Sequence, residues 1–280
     1  WADAAGQALE KAEDMKQHNG ATPAETCRCC GADATRFAES KVLGHTTGYY
    51  RCAACGYVQT GDPHWLKEAY REPINAEDTG IMARNRKNVG CVVATLWALE
   101  KPRGLVLDEA GGYGVLVRML RDAGIDARWR DKYCDNLFAR GFEYHGEEVE
   151  LATAFEVFEH LPSPRTELAA LMDTAPNLLF STELLPSPSP KPADWWYYAP
   201  EHGQHIGFYS LQTLDHLARR YGRHLLSDGR NLHLFSSQPV SAARWKALMA
   251  IRTLLVPATQ FHLGSRTWRD HLALKERRRD

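Results

Sequence analysis

The stretch "GLVLDEAGGYG", residues 104–114, decides the fold. Residues 104–107 are a short apolar run that ends at Asp108, which is typical of a buried parallel strand. Three glycines follow within residues 111–114, and then comes the helical pattern "VLVRMLRDAG". Strand, glycine-rich turn and helix form the first unit of a doubly wound sheet, in which the turn lets a cofactor lie against the backbone. The N-terminus of the helix favours a negative group at the same place.

Further units of the same kind follow along the chain. The segment "IDARWRD" ends on Asp131, 23 residues beyond Asp108, where an acidic side chain can bind two ribose hydroxyls. Two more strands are predicted in "VELATAFEVFEHL" and "NLLFSTELLP", and "RHLLSDGRNLHLFSS" is typical of two strands closed by a turn. We therefore expect an α/β fold, a Rossmann-like doubly wound sheet with an antiparallel last strand.

Five cysteines lie close together near the N-terminus. Cys27 and Cys30 form one C-x-x-C, Cys52 and Cys55 form another, and each pair is followed directly by glycine. This spacing predicts a zinc ribbon in which four thiolates hold a structural Zn²⁺. A pair of disulfides is the alternative, and the lack of a secretory signal disfavours it. Cys29 could replace Cys27 or Cys30 only by distorting the turn.

Net charge and hydropathy argue against a nucleic-acid-binding or membrane protein. The formal net charge is −1 and the isoelectric point is about 6.9, which favours neither nucleic acid nor an anionic membrane as partner. Arg252 and Pro257 interrupt the most apolar long stretch, so we expect no membrane-spanning helix. The opening residues lack the basic and apolar regions of a signal peptide, and a cytoplasmic location is the expectation.

The motif "VLDEAGGYG", with "RDKY" and "AFEVFEHL" after it, resembles class I S-adenosylmethionine-dependent methyltransferases. The first motif of that family is D-x-G-x-G-x-G, and this chain has Ala110 at the first glycine position. The resemblance covers about residues 85–240. With the cysteine pairs, the layout is similar to zinc-binding methyltransferases that act on nucleotide-linked sugars.

The resemblance implies a set of cofactor-binding residues at the glycine turn and at the ends of the strands. Asp131 would hold the ribose hydroxyls, and Lys132 or Tyr133 would flank the adenine. Arg84 lies within "WLKEAYREPINAEDTGIMARN", residues 65–85, which resembles the segment that closes over the methionine end of the cofactor in that family. The full implied set is Asp108, Ala110, Gly112, Gly114, Asp131, Lys132, Tyr133, Ala154, Phe155, Glu156 and Arg84.

The stretch "WWYYAPEHGQHIGFYS", residues 195–210, combines aromatic rings with polar groups. A hydrophobic flap over the sheet edge is one interpretation, but binding sites also mix aromatic walls with a few polar groups. For the acceptor we therefore expect Tyr70, Trp196, Tyr198, Glu201 and Gln204. The candidate bases are His205, His202 and His160. A metal site of His202 and His205 with Glu201 is a weaker alternative, because this loop is not helical.

These inferences predict an S-adenosylmethionine-dependent enzyme that methylates oxygen or carbon of a small-molecule acceptor, with a sugar preferred. An RNA methyltransferase with a zinc-ribbon substrate domain and a non-catalytic zinc-binding scaffold are the alternatives. The expected organisation is an N-terminal extension (1–24), a zinc ribbon (25–61), a helical linker or lid (62–102), the cofactor-binding domain (103–240) and a C-terminal helical extension (241–280).

Overall fold

The computed structural model describes residues 24–71 and 78–277, which form two β-sheets with helices around the larger one. The expected N-terminal extension lies outside the described residues apart from Ala24, and residues 72–77 of the expected lid also lie outside them. Within the described ranges, no helix is both long and apolar enough to cross a membrane.

The elements are numbered in chain order within the described residues. The strands are Ala24–Thr26 (β1), Asp33–Val42 (β2), His45–Cys52 (β3), Val58–Thr60 (β4), Val106–Glu109 (β5), Ala127–Arg130 (β6), Leu151–Phe155 (β7), Asn177–Ser181 (β8), Gly207–Phe208 (β9), His224–Ser227 (β10) and Leu232–Ser236 (β11). The helices are Leu66–Ala69 (α1), Ile81–Ala98 (α2), Val115–Asp122 (α3), Pro164–Thr174 (α4), Leu211–Arg220 (α5), Ala242–Ala250 (α6), Arg252–Leu263 (α7) and Thr267–Glu276 (α8). Two 3₁₀ turns cover Phe158–His160 and Trp196–Tyr198.

The larger sheet has the strand order β10-β11-β8-β7-β5-β6. Strands β6, β5, β7 and β8 are parallel, whereas β11 pairs antiparallel with β8, and β10 pairs antiparallel with β11. The expected α/β fold, with a doubly wound sheet and an antiparallel end, is therefore confirmed. Because β5 lies between β6 and β7, the strand order reverses there, and the crevice of such sheets opens at that point.

Both faces of this sheet are buried, as the apolar runs of its strands require. Successive residues of a strand point to opposite faces, so one core contains half of them and a second core contains the other half. The first core joins α2 and α3 to Val106, Leu151, Leu179 and Leu234. The second core joins α4 and α5 to Leu107, Ala152, Leu178 and Phe235.

The smaller sheet is antiparallel and has the order β1-β2-β3-β4-β9. Its first four strands come from the cysteine-rich segment, but β9 comes from the aromatic stretch far along the chain. The pairing joins Val58 to Phe208 and Gln59 to Gly207. The aromatic stretch is thus a structural part of the ribbon sheet.

Most rings of the aromatic stretch are buried. Tyr197, Tyr198 and Phe208 pack with Tyr49 of β3 and with Trp65, which precedes α1, in a third apolar cluster. The Trp65 indole N–H also donates to the carbonyl oxygen of Gly203 at 2.8 Å. These contacts explain why a stretch rich in aromatic residues follows a surface run of prolines and serines.

A buried ion pair attaches the last helix to the sheet domain. The guanidinium of Arg121 in α3 donates two hydrogen bonds of 2.7 Å to the carboxylate of Asp270 in α8, and both residues are only 3% exposed. Arg118 donates to the same carboxylate at 2.8 Å. Burial raises the pKa of Asp270, but these hydrogen bonds outweigh it and hold the pKa below the usual value.

We expect Asp270→Ala to lower the free energy of unfolding by about 3–5 kcal/mol, because it leaves a buried guanidinium without its main partner. Asp215→Ala is the control, since Asp215 pairs with Arg219 on the exposed side of α5 and should cost below about 1 kcal/mol. Urea denaturation measures both values.

The pH dependence of the same pair has a defined sign. Because the folded-state pKa of Asp270 is lowered, its contribution is present above the unfolded-state value of about 3.9 and is lost as the pH falls further. The difference between wild type and Asp270→Ala should therefore shrink in acid. Equal losses in the two variants at neutral pH would contradict the assignment.

Candidate functional site

The four predicted zinc ligands lie together between the ends of the ribbon strands. The Sγ atoms of Cys27 and Cys55 are 3.7 Å apart, those of Cys30 and Cys52 are 3.5 Å apart, and all four lie within 4.8 Å of one another. A tetrahedral Zn²⁺ with Zn–S bonds of about 2.3 Å has sulfur–sulfur edges of about 3.8 Å. The cysteine cluster therefore fits a zinc ribbon.

The two C-x-x-C-G turns have the same backbone geometry. The N–H of Gly31 donates to the carbonyl oxygen of Cys27, and the N–H of Gly56 donates to that of Cys52, both at 2.9 Å. Both glycines have positive φ, +87° and +76°, a conformation that side chains disfavour. Cys29 is fully buried in the core and lies outside the group of four.

Electrostatics keep the cysteine cluster in its neutral thiol form when no cation is bound. Contact with Cys55 and burial raise the pKa of the Cys27 thiol well above its usual value. Four neighbouring thiols can ionise together only when a cation offsets their charge. All four positions of the tetrahedron come from protein, as in structural rather than catalytic zinc sites.

The glycine turn after β5 is held by Asp131, which follows β6. One carboxylate oxygen of Asp131 accepts from the N–H of Gly112 at 2.9 Å, and the other accepts from the N–H groups of Tyr133 and Cys134 at 2.7 and 2.8 Å. Ala110 has φ +52°, so the substitution of the family's first glycine keeps the left-handed turn at a cost of about 1–2 kcal/mol.

Asp108 lies at the end of β5 beneath this turn. Its carboxyl group accepts a 2.7 Å hydrogen bond from the Thr153 hydroxyl, and the side chain is almost fully buried. Burial raises the pKa of Asp108 to about 7, although the hydrogen bond from Thr153 lowers it. A positively charged ligand at this edge would therefore ionise the group.

The other residues expected at the cofactor occupy varied environments. Lys132 and Tyr133 are exposed on the loop after β6, whereas Ala154 is buried inside β7 and Phe155 packs against the opposite core. Arg84 in α2 forms an ion pair with Asp78.

Glu156 follows β7 at the same edge of the sheet. Its φ is +54°, a strained value for a residue other than glycine. The Ser181 hydroxyl at the end of β8 accepts from the Glu156 N–H at 2.9 Å and donates to its carboxylate. Strain of this kind concentrates at functional sites.

Glu159, His160 and His205 form a compact polar group that we call the Glu-His-His cluster. One ligand-type atom from each residue lies within 4.8 Å of the others, and the two imidazole rings meet edge to face with centroids 5.0 Å apart. Burial and the neighbouring His205 lower the pKa of His160 to about 3, so that its ring is neutral at neutral pH. The sequence analysis missed Glu159; its signal was a second carboxylate beside His160 in "EVFEHL".

A pocket of about 200 Å³ is lined in part by Tyr197, whose ring centroid lies 4.6 Å from that of His205. Arg84, Glu156, Ser181 and Trp196 are among its lining residues. Trp196 is 72% exposed, whereas Tyr197 and Tyr198 of the same 3₁₀ turn are buried.

The remaining residues predicted for the acceptor are spread around the loop. Tyr70 stacks on Tyr133 with centroids 6.0 Å apart and meets the ring of His160 at 6.2 Å. Gln204 donates from its side chain to the carbonyl of Ala69 at 2.9 Å. The structure places Tyr198 in the core, where its hydroxyl donates to the carbonyl oxygen of Pro190 at 3.0 Å.

His202 and Glu201 lie on the exposed side of the aromatic loop. Their side chains are 3.7 Å apart, which makes them a surface pair. Among the described residues, neither belongs to a group of metal-type side chains with adjacent ligand atoms. Of the three predicted histidines, the structure brings together His160 and His205 and keeps His202 apart.

The chain also has matches of low identity among solved structures. Magnesium protoporphyrin IX methyltransferase (ChlM) from Synechocystis PCC 6803 with bound SAH shows 16% identity and a TM-score of 0.40, over 61% of this chain and 93% of that chain. TnmH shows 14% identity and a TM-score of 0.41, over 62% and 61%. CalO1, a methyltransferase in calicheamicin biosynthesis, shows 11% identity and a TM-score of 0.38, over 61% of both chains.

The family itself is established by sequence. No curated protein matches the chain. A family model described as "Methyltransferase domain" matches residues 82–227, which is more than half of the 280 residues. This match spans the glycine turn, Asp131 and the Glu-His-His cluster. The chain therefore belongs to the methyltransferase-domain family and is an S-adenosylmethionine-dependent methyltransferase.

Proposed function

We propose that the enzyme methylates a small-molecule acceptor of the sugar type at the carboxyl edge of the large sheet. The Glu-His-His cluster is the observation that carries this proposal, because it lies just beyond the end of β7, the strand that pairs with β5 below the glycine turn. Small-molecule sites combine apolar walls with a few buried polar groups in this way. A net charge of −1 gives no support to a nucleic-acid acceptor.

The proposed cofactor site follows the resemblance residue by residue. The sulfonium of S-adenosylmethionine carries a positive charge, and a carboxyl group such as Asp108 would ionise beside it. Asp131 would exchange backbone N–H partners for the ribose hydroxyls as the loops adjust. Gly112 and Gly114 would let the cofactor lie against the turn.

The proposed acceptor site lies between Trp196, Tyr70 and the Glu-His-His cluster. Methyl transfer is an in-line displacement in which the acceptor atom attacks the methyl carbon and the sulfur leaves as a thioether. The protein must hold the two reacting atoms about 3–3.5 Å apart. A hydroxyl or an acidic C–H also has to lose a proton, and assistance at that step contributes about 10²- to 10⁴-fold. We assign this assistance to the cluster, with His205, which lies in the aromatic stretch, as the proton acceptor.

We also propose that Cys27, Cys30, Cys52 and Cys55 bind Zn²⁺ in the ribbon. The metal would have a structural role, because it would hold together the turns that flank the ribbon strands. One of these strands, β4, pairs with β9. That pairing positions the stretch that contains His205. Zinc would thus support the acceptor site without taking part in the chemistry.

For the cofactor site, we expect Asp131→Ala to weaken the binding of S-adenosylmethionine by about tenfold or more, because it removes hydrogen bonds to a charged group worth about 1.5–3 kcal/mol. Asp135→Ala is the matched control: it removes the same charge from an exposed position of the same loop. Isothermal calorimetry measures both affinities. Equal affinities in the two variants would exclude Asp131 from the ribose site.

For the zinc site, we expect Cys52→Ser to lose the bound zinc and to lower the melting temperature, since structural zinc contributes about 10–16 kcal/mol in small zinc domains. Cys29→Ser and Cys134→Ser should keep about one zinc per chain, because neither residue lies in the group of four. Elemental analysis of the purified proteins gives the metal content. Loss of zinc in Cys29→Ser with retention in Cys52→Ser would reverse the assignment.

For the acceptor site, we expect His205→Ala to reduce turnover by about 100-fold or more while cofactor affinity stays within a factor of two. His202→Ala should reduce turnover much less, because His202 lies outside the cluster. Release of S-adenosylhomocysteine in the presence of a panel of nucleotide-linked sugars measures turnover. The reverse order of the two variants would move the function to His202, and no release with any member of the panel would exclude the sugar acceptor.

A further inference from the structure

The side-chain atoms of the Glu-His-His cluster converge as metal ligands do. They lie within 4.8 Å of one another. Two donors bound to one ion at about 2.1 Å are separated by about 3–4.2 Å, depending on the angle between them. A bound ion would therefore draw the three side chains somewhat closer together than this spacing.

The two imidazoles have the same tautomer. The Nδ1 atom of His160 lies 3.1 Å from the carbonyl oxygen of Gln204, and the Nδ1 atom of His205 lies 2.6 Å from that of Tyr197. A carbonyl oxygen can only accept, so each Nδ1 carries the proton and each Nε2 keeps its lone pair. Metal-binding histidines are oriented by this same hydrogen bond from the second ring nitrogen.

Glu159 adds a carboxylate that the protein leaves without a hydrogen bond. The residue is 0% exposed, and neither carboxylate oxygen has a hydrogen-bond partner. The His205 imidazole and the hydroxyls of Thr182 and Tyr197 are its polar neighbours, but neither hydroxyl makes a hydrogen bond of acceptable distance and angle with it. A buried carboxylate in this state costs several kcal/mol when ionised, and a bound cation removes that cost.

A second carboxylate reinforces the demand for positive charge. Glu156 lies close enough for Glu159 to raise its pKa, in addition to the effect of burial. His205 and Arg84 act in the opposite direction on Glu156, but Arg84 is already paired with Asp78. The site thus contains two neighbouring carboxylates, and the guanidinium that acts on Glu156 is already paired with Asp78.

We propose that Glu159, His160 and His205 bind a divalent first-row transition-metal ion, in a second metal site separate from the four cysteines. Two imidazole nitrogens and one carboxylate suit such an ion better than Mg²⁺ or Ca²⁺, which prefer oxygen ligands. Three protein ligands leave positions open for a further ligand. This inference rests on the proposed function for its role, in which the ion would polarise the acceptor oxygen at the end of β7.

In this proposal His205 is a metal ligand rather than the proton acceptor, and the ion would lower the pKa of the acceptor group so that its proton passes to solvent. It also separates the cluster from the surface pair of Glu201 and His202, which would not contribute to the ion. The matched variants Glu159→Gln and Glu201→Gln distinguish these two carboxylates, since each replaces one oxygen by an amide nitrogen without a change of size.

Cobalt binding to the untagged, zinc-loaded chain tests the site without acceptor or cofactor. We expect about one Co²⁺ per chain by calorimetry, with zinc retained and no thiolate-to-cobalt charge-transfer absorption. Glu159→Gln and His205→Ala should each weaken cobalt binding at least about tenfold, whereas Glu201→Gln should change it by less than about twofold. Retained binding of S-adenosylmethionine shows that each variant is folded.

Three results would overturn the metal site: no cobalt bound at millimolar concentration, unchanged affinity in Glu159→Gln, or an absorption band of cobalt on thiolate. The outcomes also separate this inference from the function proposed above. If cobalt binds at the cluster but no sugar is methylated, the metal-site proposal stands and the sugar acceptor is rejected. If the Glu159→Gln variant binds no cobalt but methylates sugars at the full rate, the catalytic role of the metal is rejected and the sugar acceptor stands.

Discussion

The acceptor side of the enzyme depends on the pairing of the two-residue strand β9 with β4. This pairing holds the aromatic stretch against the cysteine-rich sheet. Arg28, next to Cys27, donates to the carbonyl oxygen of Ile206 at 2.7 Å, and the Ile206 N–H donates to that of Glu159 at 2.9 Å. Through these bonds the ribbon positions His205 beside Glu159 and His160, which lie in the 3₁₀ turn that follows β7.

Local patterns were sufficient to predict the large sheet. The apolar run before Asp108, the glycine turn and the acid 23 residues later are consecutive features, and the structure places the turn and Asp131 in direct contact. The cysteine pairs were equally local, because C-x-x-C-G encodes a single turn. Both predictions needed only residues within about one strand, turn and helix.

The acceptor side could not be predicted in the same way, because it depends on contacts between distant segments. The sequence suggested aromatic walls for residues 195–210, but the pairing with β4 buries Tyr197, Tyr198 and Phe208 and leaves Trp196 exposed. The role of Glu159 could not be predicted, because only the fold brings His205 beside it. The choice between His202 and His205 also depends on which ring faces the sheet.

The pairing of β4 with β9 has a consequence for the order of folding. About 150 residues separate the paired positions Val58 and Phe208, so closing this contact requires a long loop to be ordered. During synthesis the cysteine turns emerge early, whereas the last strand of their sheet emerges only after all four parallel strands. The edge of β4 therefore stays unpaired until β9 has emerged, and the acceptor side of the enzyme can form only after that point.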